Sequence, residues 1–386
     1  MALRHLGPVM LLLCLLGRPA LGAWRSVSVV EMGAKGDNAT DNTKAFRAAL
    51  ASVEGGGEVV VPAGGCFRTA PINLTSHVVL RVEGTMRALE DRDAFPKIAV
   101  LPSVGHDYDT NGPARYQPFV FACGGTNITI RGEGTIDGAG AYWWTRASRQ
   151  LNHGVGRPHL LELQNVTGVE VTGVTLLDSA FWTFHPVYCR DVHIHHMEIQ
   201  VPWLAHVDGQ NISGFNGDGI DVDSCQDVLI EHNYINCGDD HVTILAGVGK
   251  AGQDFGMPSR NITVADNRLG SGMGLSVGSS VSGGVEDVLY TRNVMNETSG
   301  QWGMGVHIKV STAAPFDFFR RSLIQVVAQT RTTYGGYIRN VVYADNYFET
   351  AGVPGGAIHI ESGYQSGRGN SCSFSECTDI RDIVFR

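Results

Sequence analysis

The chain repeats the segment Val228-Leu-Ile-Glu-His-Asn233 as Ile262-Thr-Val-Ala-Asp-Asn267, Val288-Leu-Tyr-Thr-Arg-Asn293 and Val341-Val-Tyr-Ala-Asp-Asn346. In each copy, apolar residues alternate over three positions and an asparagine stands five residues after the first of them. A polar or glycine-rich stretch follows each copy, and then a second short apolar strand. These second strands are His241-Val-Thr-Ile244, Gly274-Leu-Ser-Val277, Val306-His-Ile308 and Ala357-Ile-His-Ile360.

This repeat predicts an all-β solenoid. Alternation places one face of each strand in the core and the other face outside. No amphipathic helix of about 10 to 15 residues separates the strands, which argues against a doubly wound α/β fold. Short strands that recur in stacked coils form a right-handed parallel β-helix, and we expect the repeated asparagines to form a ladder at one corner. A β-propeller is the alternative, but it needs four strands in about 40 to 45 residues.

The N-terminal region shows a signal peptide and a helix. A basic start, the apolar run 9–16 and the small residues Ala20-Leu21-Gly22 predict that residues 1–22 are cleaved on secretion. The alanine-rich segment Thr43–Ser52 follows the capping residues Asp41 and Asn42, so we expect a helix that covers the first coil. Residues 23–386 should form a single domain. Its end, 380–386, resembles the opening strand of another repeat, so the solenoid is either truncated or ends uncapped.

Composition narrows the class of protein. The formal net charge of −9 argues against a general nucleic-acid binder, which needs a basic surface. No segment after the signal peptide reaches ~18 consecutive apolar residues, so we expect no contact with a membrane. We expect a secreted monomer.

Seven glycosylation sequons begin at Asn38, Asn73, Asn127, Asn165, Asn211, Asn261 and Asn296. After loss of Cys14 with the signal peptide, seven cysteines remain, so at least one thiol is free or paired between chains.

Acidic residues concentrate in Asn216-Gly-Asp-Gly-Ile-Asp-Val-Asp223 and Cys237-Gly-Asp-Asp-His241. Because one coil takes roughly 20 to 30 residues, Asp218 and Asp239 should lie on neighbouring coils of one face. Crowded carboxylates raise at least one pKa, which is what a general acid needs beside an ionised base. Two other interpretations stay open: a calcium site built from Asp218, Asp221 and Asp223, and aspartates that only shape turns.

Histidines form a second cluster, which the sequence alone does not connect to chemistry. His193, His195 and His196 lie on or next to one predicted strand. We interpret them as buried or surface histidines rather than as metal ligands, and we expect neither a metal nor another cofactor.

The motifs around the aspartates resemble those of the polygalacturonases of glycoside hydrolase family 28. That family carries Asn-Thr-Asp, Gly-Asp-Asp about 20 residues later, then Gly-His-Gly and Arg-Ile-Lys. Here they read Asn216-Gly-Asp218, Gly238-Asp-Asp240, Gly272-Met-Gly274 and His307-Ile-Lys309. The likeness begins at Gly33-Ala-Lys-Gly-Asp37 and includes Gly278-Ser-Ser-Val-Ser-Gly-Gly-Val285 and Tyr334-Gly-Gly-Tyr-Ile-Arg-Asn340, which are similar to the branch with exo-acting enzymes.

Two residues depart from the family pattern. Met273 replaces the histidine expected to tune the acid, and His307 replaces an arginine, which would grip a carboxylate with two hydrogen bonds. The first change bears on rate and the second on preference for galacturonate. His241 is the candidate that could replace the missing histidine.

The resemblance implies an inverting hydrolase of pectin-like galacturonan in the cell wall. Asp239 would protonate the leaving oxygen, while Asp218 and Asp240 activate water. Lys309, assisted by His307, would bind a substrate carboxylate, and Asn216 would orient its loop. An inverting site should separate acid and base by roughly 6.5–9.5 Å. Two rivals remain: a β-helix that binds polysaccharide without turnover, and a calcium-dependent pectate lyase.

Overall fold

The computed structural model describes residues 24–105, 112–145, 156–207, 210–296, 305–310, 324–326, 336–349, 358–362 and 379–386. The predicted signal peptide and two cysteines, Cys372 and Cys377, lie outside these residues. Within them the chain winds into a right-handed parallel β-helix, as predicted, and no helix is both long and apolar enough to cross a membrane. The parallel pairing of successive coils rules out the propeller.

Each complete coil contributes a strand to each of three parallel sheets. Sheet 1, which carries the candidate site, contains Ile72–Asn73, Phe184–Val187, Ile220–Asp223, Val242–Leu245, Leu275–Val277, Val306–Val310, Ile324–Val326 and Ile358–Ser362. Sheet 2 contains Ser26–Ser28, Gly57–Val61, Val78–Val82, Arg190–His195, Gln226–Glu231, Ser259–Ala265, Val285–Thr291, Tyr337–Ala344 and Asp379–Phe385. Two long strands, Val120–Arg131 and Leu161–Thr172, run through both sheets. The predicted alternation identified strands of these two sheets, including the one at the C-terminus.

Sheet 3 lies beyond the asparagine corner, and the repeat analysis did not identify its strands, several of which have only two or three residues. It contains Asp37–Asp41, Cys66–Thr69, Thr85–Ala88, Thr135–Asp137, Thr175–Leu177, Glu198–Gln200, Tyr234–Asn236, Arg268–Leu269, Val294–Met295 and Tyr347–Phe348. Two antiparallel hairpins project from the coils, Lys97–Ala99 with Ala114–Tyr116 and Leu204–Val207 with Gln210–Ser213.

The helix predicted at the N-terminus is present and spans Thr43–Ser52. Of the two expected capping residues, Asp41 accepts the hydrogen bond from the Thr43 amide (2.9 Å), while Asn42 binds the backbone of Lys35. Phe46 is fully buried on the inner face of the helix and joins the solenoid core. Two short helices, Gly140–Thr145 and Gly249–Phe255, and a 3₁₀ turn, Arg92–Ala94, lie in connecting segments.

Inside the coils, apolar side chains at equivalent positions stack into columns. One column runs through neighbouring strands of sheet 2 and is formed by Ile130, Val171, Ile194, Ile230, Val264, Tyr290 and Tyr343. These side chains belong to one hydrophobic cluster that extends from Val27 to Tyr343. The coils therefore share a continuous core, and burial of this column holds each coil against the next.

The predicted asparagine ladder is confirmed. The Asn233 amide nitrogens, backbone and side chain, both donate to Oδ1 of Asn267, at 3.0 and 2.9 Å. Asn267 makes the same pair of bonds to Asn293 (3.1 and 2.9 Å), and Asn293 to Asn346 (3.0 and 2.9 Å). Because Asn233, Asn267 and Asn293 are almost fully buried, these bonds satisfy polar groups that water cannot reach.

Replacing Asn267 with alanine should destabilise the protein, because the change leaves the amides of Asn233 without their buried acceptor. We expect the free energy of unfolding to fall by about 1–3 kcal/mol, measured by denaturant unfolding. Asn73→Ala is the matched control, since Asn73 is exposed and accepts one bond from Gln117. Equal loss in the two variants would contradict a special role for the ladder.

Candidate active site

The three candidate aspartates lie where loops enter sheet 1 on two adjacent coils. Asp218 stands just before Ile220–Asp223, and Asp239 and Asp240 stand just before Val242–Leu245. Backbone hydrogen bonds join the two loops, including Gly219 N–H to the Asp240 carbonyl at 2.8 Å. The loops approach closely because Gly238 has no side chain, and a Cβ there would lie 2.4 Å from the Gly214 carbonyl oxygen.

One carboxylate oxygen from each of Asp218, Asp239 and Asp240 lies within 4.8 Å of the others. Asp218 and Asp240 are buried, whereas Asp239 is half-buried and is the member that solvent reaches most readily. Oδ1 of Asp218 has no hydrogen-bond partner among the described residues. The structure therefore brings together the three residues that the motif spacing selected.

Two side chains from the second coil after that of Asp240 reach the same cluster. His307 Nδ1 lies 3.0 Å from Asp240 Oδ1, and the Lys309 ammonium donates to Asp240 Oδ2. Both side chains are nearly fully buried. The sequence predicted that Lys309 and His307 would share this site, but it did not predict that both would pair with Asp240.

Burial and charge push the pKa values of the carboxyl groups apart. Burial raises the pKa of Asp218 well above its usual range, and the neighbouring Asp239 adds to the effect. Burial, together with the charge of Asp240, raises the pKa of Asp239 to about 6. Burial would also raise the pKa of Asp240, but Lys309 and His307 outweigh it and lower that pKa to about 2. The cluster thus holds an ionised carboxylate beside two carboxyl groups that keep a proton to higher pH than a free aspartate does.

The segment that carries Met273 is tied to both Asp239 and His241. The Met273 amide donates to the Asp239 carbonyl at 2.7 Å. His241 accepts from the Gly274 amide at Nδ1 (3.0 Å), and its Nε2 lies 3.1 Å from the Gly270 carbonyl. Burial lowers the pKa of His241 to about 4. Both ring nitrogens are therefore occupied by backbone, and this neutral histidine supports the loop of Met273.

Arg157 holds the loop that precedes Asp218. Its guanidinium lies between the rings of Phe181 and Phe215, 4.7 and 4.5 Å from their centroids. It donates to the Phe215 carbonyl (3.0 Å) and to Oδ1 of Asn216 (3.2 Å). Asn216 itself adopts a left-handed backbone, with φ of 54°. Sequence reasoning did not single out Arg157, because it contacts this loop from 59 residues away.

A row of outward-facing polar side chains crosses sheet 1 beside the carboxylates, one from each coil. The register aligns Glu162, His185, Asp221, Thr243, Ser276 and His307, and we call them the polar column. All six are buried. The parallel register thus continues the site well beyond the aspartate motifs.

The N-terminal end of the polar column is charged. Arg115 donates two bonds to Glu162, at 2.7 and 2.6 Å, and His185 Nδ1 lies 3.0 Å from Glu162. Burial would lower the pKa of His185, but the nearby carboxylates of Asp223 and Glu162 raise it to about 9. His185 is thus a buried cation one coil from Asp221. No pattern within one segment could have revealed this group, whose members come together only through the stacking of coils.

Asp221 belongs to this column rather than to a calcium loop. Neither of its oxygens has a hydrogen-bond partner among the described residues, and burial raises its pKa well above the usual range. Asp223 instead accepts bonds from the Ser224 hydroxyl (2.7 Å) and the Gly247 amide (3.0 Å). The structure groups Asp218 with Asp239 and Asp240, not with the two residues of the calcium hypothesis.

Comparison with known proteins gives a consistent result. A grape (Vitis vinifera) protein named "Probable polygalacturonase" is 35% identical over 274 residues, which are 68% of this chain and 53% of that protein. An endo-polygalacturonase of Pectobacterium carotovorum is 29% identical over 91% of this chain and 78% of its own length. The chain spans about half the length of the grape protein and of an Arabidopsis thaliana relative (48%).

Solved structures share the fold. An exopolygalacturonase of Thermotoga maritima superposes with a TM-score of 0.71 and 26% identity, over 94% of this chain and 81% of that one. A polygalacturonase of Erwinia carotovora, 22% identical, has a TM-score of 0.60 over 96% and 95% of the two chains.

The family model described as "Glycosyl hydrolases family 28" matches residues 56–317, the part of the chain that contains all three aspartates and Lys309. This protein belongs to glycoside hydrolase family 28.

Proposed function

We propose that this protein hydrolyses glycosidic bonds in a pectin-like galacturonan. The observation that supports it most is the split of pKa values within one carboxylate cluster, where Asp239 has a pKa of about 6 and Asp240 a pKa of about 2. Such a pair supplies a general acid and a general base in one site. Relatives named polygalacturonase make galacturonan the first substrate to test.

We assign the acid to Asp239. It is the half-buried member of the cluster, so it can reach a glycosidic oxygen, and its pKa of about 6 keeps the proton in mildly acidic solution. Asp240 is ionised and buried and would deprotonate the attacking water, which Asp218 would help to orient. The raised pKa of Asp218 means that Asp218 and Asp239 together hold at least one proton.

The expected stereochemistry is inversion, although the site is compact. Inverting sites usually separate the two carboxyl groups by about 6.5–9.5 Å and retaining sites by about 5–5.5 Å, whereas the nearest oxygens here lie within 4.8 Å. Asp240 has both oxygens engaged, by His307 and by Lys309. A carboxylate bound in this way is a poor covalent nucleophile, which favours a role in holding water.

Lys309 is the proposed anchor for a uronate carboxylate, with His307 assisting when it is protonated. A substrate carboxylate would share the Lys309 ammonium with Asp240. Because histidine replaces the family arginine, the bidentate grip is absent, so we expect weaker preference for galacturonate than an arginine would give. Asn216, held by Arg157, would keep the Asp218 loop in place. His241 would support the loop of Met273.

We further propose that the protein is a secreted glycoprotein that acts on the cell wall. Residues 23–386 would form a single domain, and the protein would act as a monomer. All seven sequon asparagines are exposed in the structure, so each is accessible to glycosylation. The N-terminal 22 residues have the pattern of a signal peptide.

Reducing-end release from polygalacturonate, with and without chelator, tests the function. Wild type should release reducing ends in both conditions, and Asp239→Asn should lose about 10²- to 10⁴-fold in rate. The rate should fall as pH rises through about 6, where Asp239 loses its proton, and as pH drops through about 2, where Asp240 gains one. Proton NMR of the first-formed product should show the inverted anomer.

Three outcomes would contradict these assignments. Chelator-sensitive release of an unsaturated product would establish a lyase. Oligosaccharide binding with equal residual turnover in wild type and Asp239→Asn would establish a binding protein. A retained anomer would make one carboxylate a nucleophile.

Met273→His should raise kcat, because a histidine beside the acid can steer a proton and methionine cannot. The gain should be smaller than the factor of about 10²–10⁴ that the acid itself contributes. Met32→His is the matched control, since Met32 is also half-buried and belongs to the N-terminal region. An unchanged kcat in Met273→His would show that the carboxylates alone already provide what the missing histidine would supply.

Arg157→Lys should lower kcat by about 10- to 100-fold with a smaller change in KM, because a displaced Asp218 misplaces the attacking water. Lysine keeps the charge but loses the planar group between Phe181 and Phe215. Arg131→Lys is the control, since Arg131 is exposed and pairs with Glu58. A loss of thermal stability in Arg157→Lys without a change in kcat would instead assign Arg157 to folding alone.

A further inference from the structure

Four histidines gather where sheet 2 turns toward sheet 3, on two adjacent coils. His193 and His195 lie on Arg190–His195, His196 follows them, and His232 follows Gln226–Glu231. The register pairs His195 with Glu231, and His196 and His232 occupy equivalent left-handed turn positions, with φ of 54° and 56°. The rings of His196 and His232 therefore lie next to each other, tilted by 35° and with 5.3 Å between their centroids. We call these four residues with Glu231 and Asp266 the histidine corner.

Three side chains of the histidine corner already approach a ligand geometry. Glu231, His232 and Asp266 each present one ligand atom, and these atoms lie within 4.8 Å of one another. Asp266 occupies the same left-handed turn position one coil further on, with φ of 56°. Zinc bonds nitrogen and carboxylate oxygen at about 2.0–2.2 Å in tetrahedral sites, so modest side-chain rotations would bring all three atoms to one ion.

Neighbouring histidines orient these side chains. His193 Nε2 lies 3.0 Å from Oε1 of Glu231, and His232 Nε2 lies 4.0 Å from its Oε2. His193 thus binds one carboxylate oxygen of Glu231, while the other oxygen faces His232. In metal sites, a hydrogen bond of this kind from a residue outside the ligand set orients the ligand. The His232 side chain is 48% exposed, so an ion can enter from solvent.

Arg292 competes for this position. It donates to both oxygens of Asp266, at 2.8 and 2.6 Å. Its side chain is 56% exposed, so it can swing into water when a cation binds. The guanidinium should therefore weaken metal binding without preventing it.

Other acidic clusters are less suited to a cation. Ligand atoms of Glu162, His159 and His185 also lie within 4.8 Å of one another, but Arg115 binds both oxygens of Glu162. The catalytic carboxylates hold the Lys309 ammonium. In both buried clusters the competing cation is itself buried, whereas Arg292 at the histidine corner is exposed and can move into solvent.

We propose that Glu231, His232 and Asp266 bind a divalent transition metal such as zinc, which clamps two neighbouring coils together. Imidazole with carboxylate suits zinc, copper and nickel rather than magnesium. The site lies between sheets 2 and 3, whereas the carboxylate cluster lies on sheet 1, so its role is structural.

Titration calorimetry of untagged, chelator-treated protein with Zn²⁺ tests the proposal. Wild type should bind one ion at this corner and unfold at a higher temperature when saturated. Glu231→Gln and His232→Asn should lose this binding and the thermal shift; asparagine is chosen because it tolerates the left-handed turn. His193→Gln, which removes only the orienting bond, should weaken binding about 10- to 100-fold. His206→Gln, at an exposed histidine of the Leu204–Val207 hairpin, should bind as wild type does.

Arg292→Asn gives an independent check, because removal of the competing cation should tighten zinc binding while every proposed ligand is kept. Absence of zinc binding by wild type would overturn the proposal. So would equal binding by wild type, Glu231→Gln and His232→Asn. Weaker binding in Arg292→Asn would overturn the assignment of Asp266 as a ligand.

Discussion

The parallel register between successive coils is the constraint on which the rest of this structure depends. Parallel strands lie about 4.8 Å apart, so residues at equivalent positions become neighbours however far apart they are in the sequence. The buried asparagine ladder helps to set this register at the corner between sheets 2 and 3, because each side chain binds both the backbone and the side chain of a neighbour. A slip of one residue would turn the core residues outward.

That register also concentrates charge on sheet 1. Burying three carboxyl groups together is unfavourable unless some of them stay neutral or gain a cation. The structure does both, since Lys309 and His307 pair with Asp240 while burial raises the pKa values of Asp218 and Asp239. The same balance recurs further along the polar column, where Arg115 and His185 compensate Glu162. The electrostatic arrangement that would make catalysis possible therefore also makes burial tolerable.

The two departures from the family motifs have different structural consequences. At Met273, the loop keeps its place through backbone bonds to Asp239 and through His241, so the change removes a proton carrier without removing the support. At His307, the shorter side chain still reaches Asp240. The pKa of that carboxylate therefore stays low, while the second hydrogen bond that arginine could offer a substrate is lost.

The sequence by itself determined the solenoid, the asparagine ladder, the N-terminal helix and the choice of Asp218, Asp239 and Asp240 with Lys309, because these follow from local alternation and short motifs. It did not reveal sheet 3, whose strands are too short to show a period. It also could not show Arg157, His185 or the pairing of Lys309 with Asp240. Those contacts join residues from 23 to 69 positions apart. Only the stacking of coils with insertions of unequal length decides which residues meet, and local sequence does not encode that register.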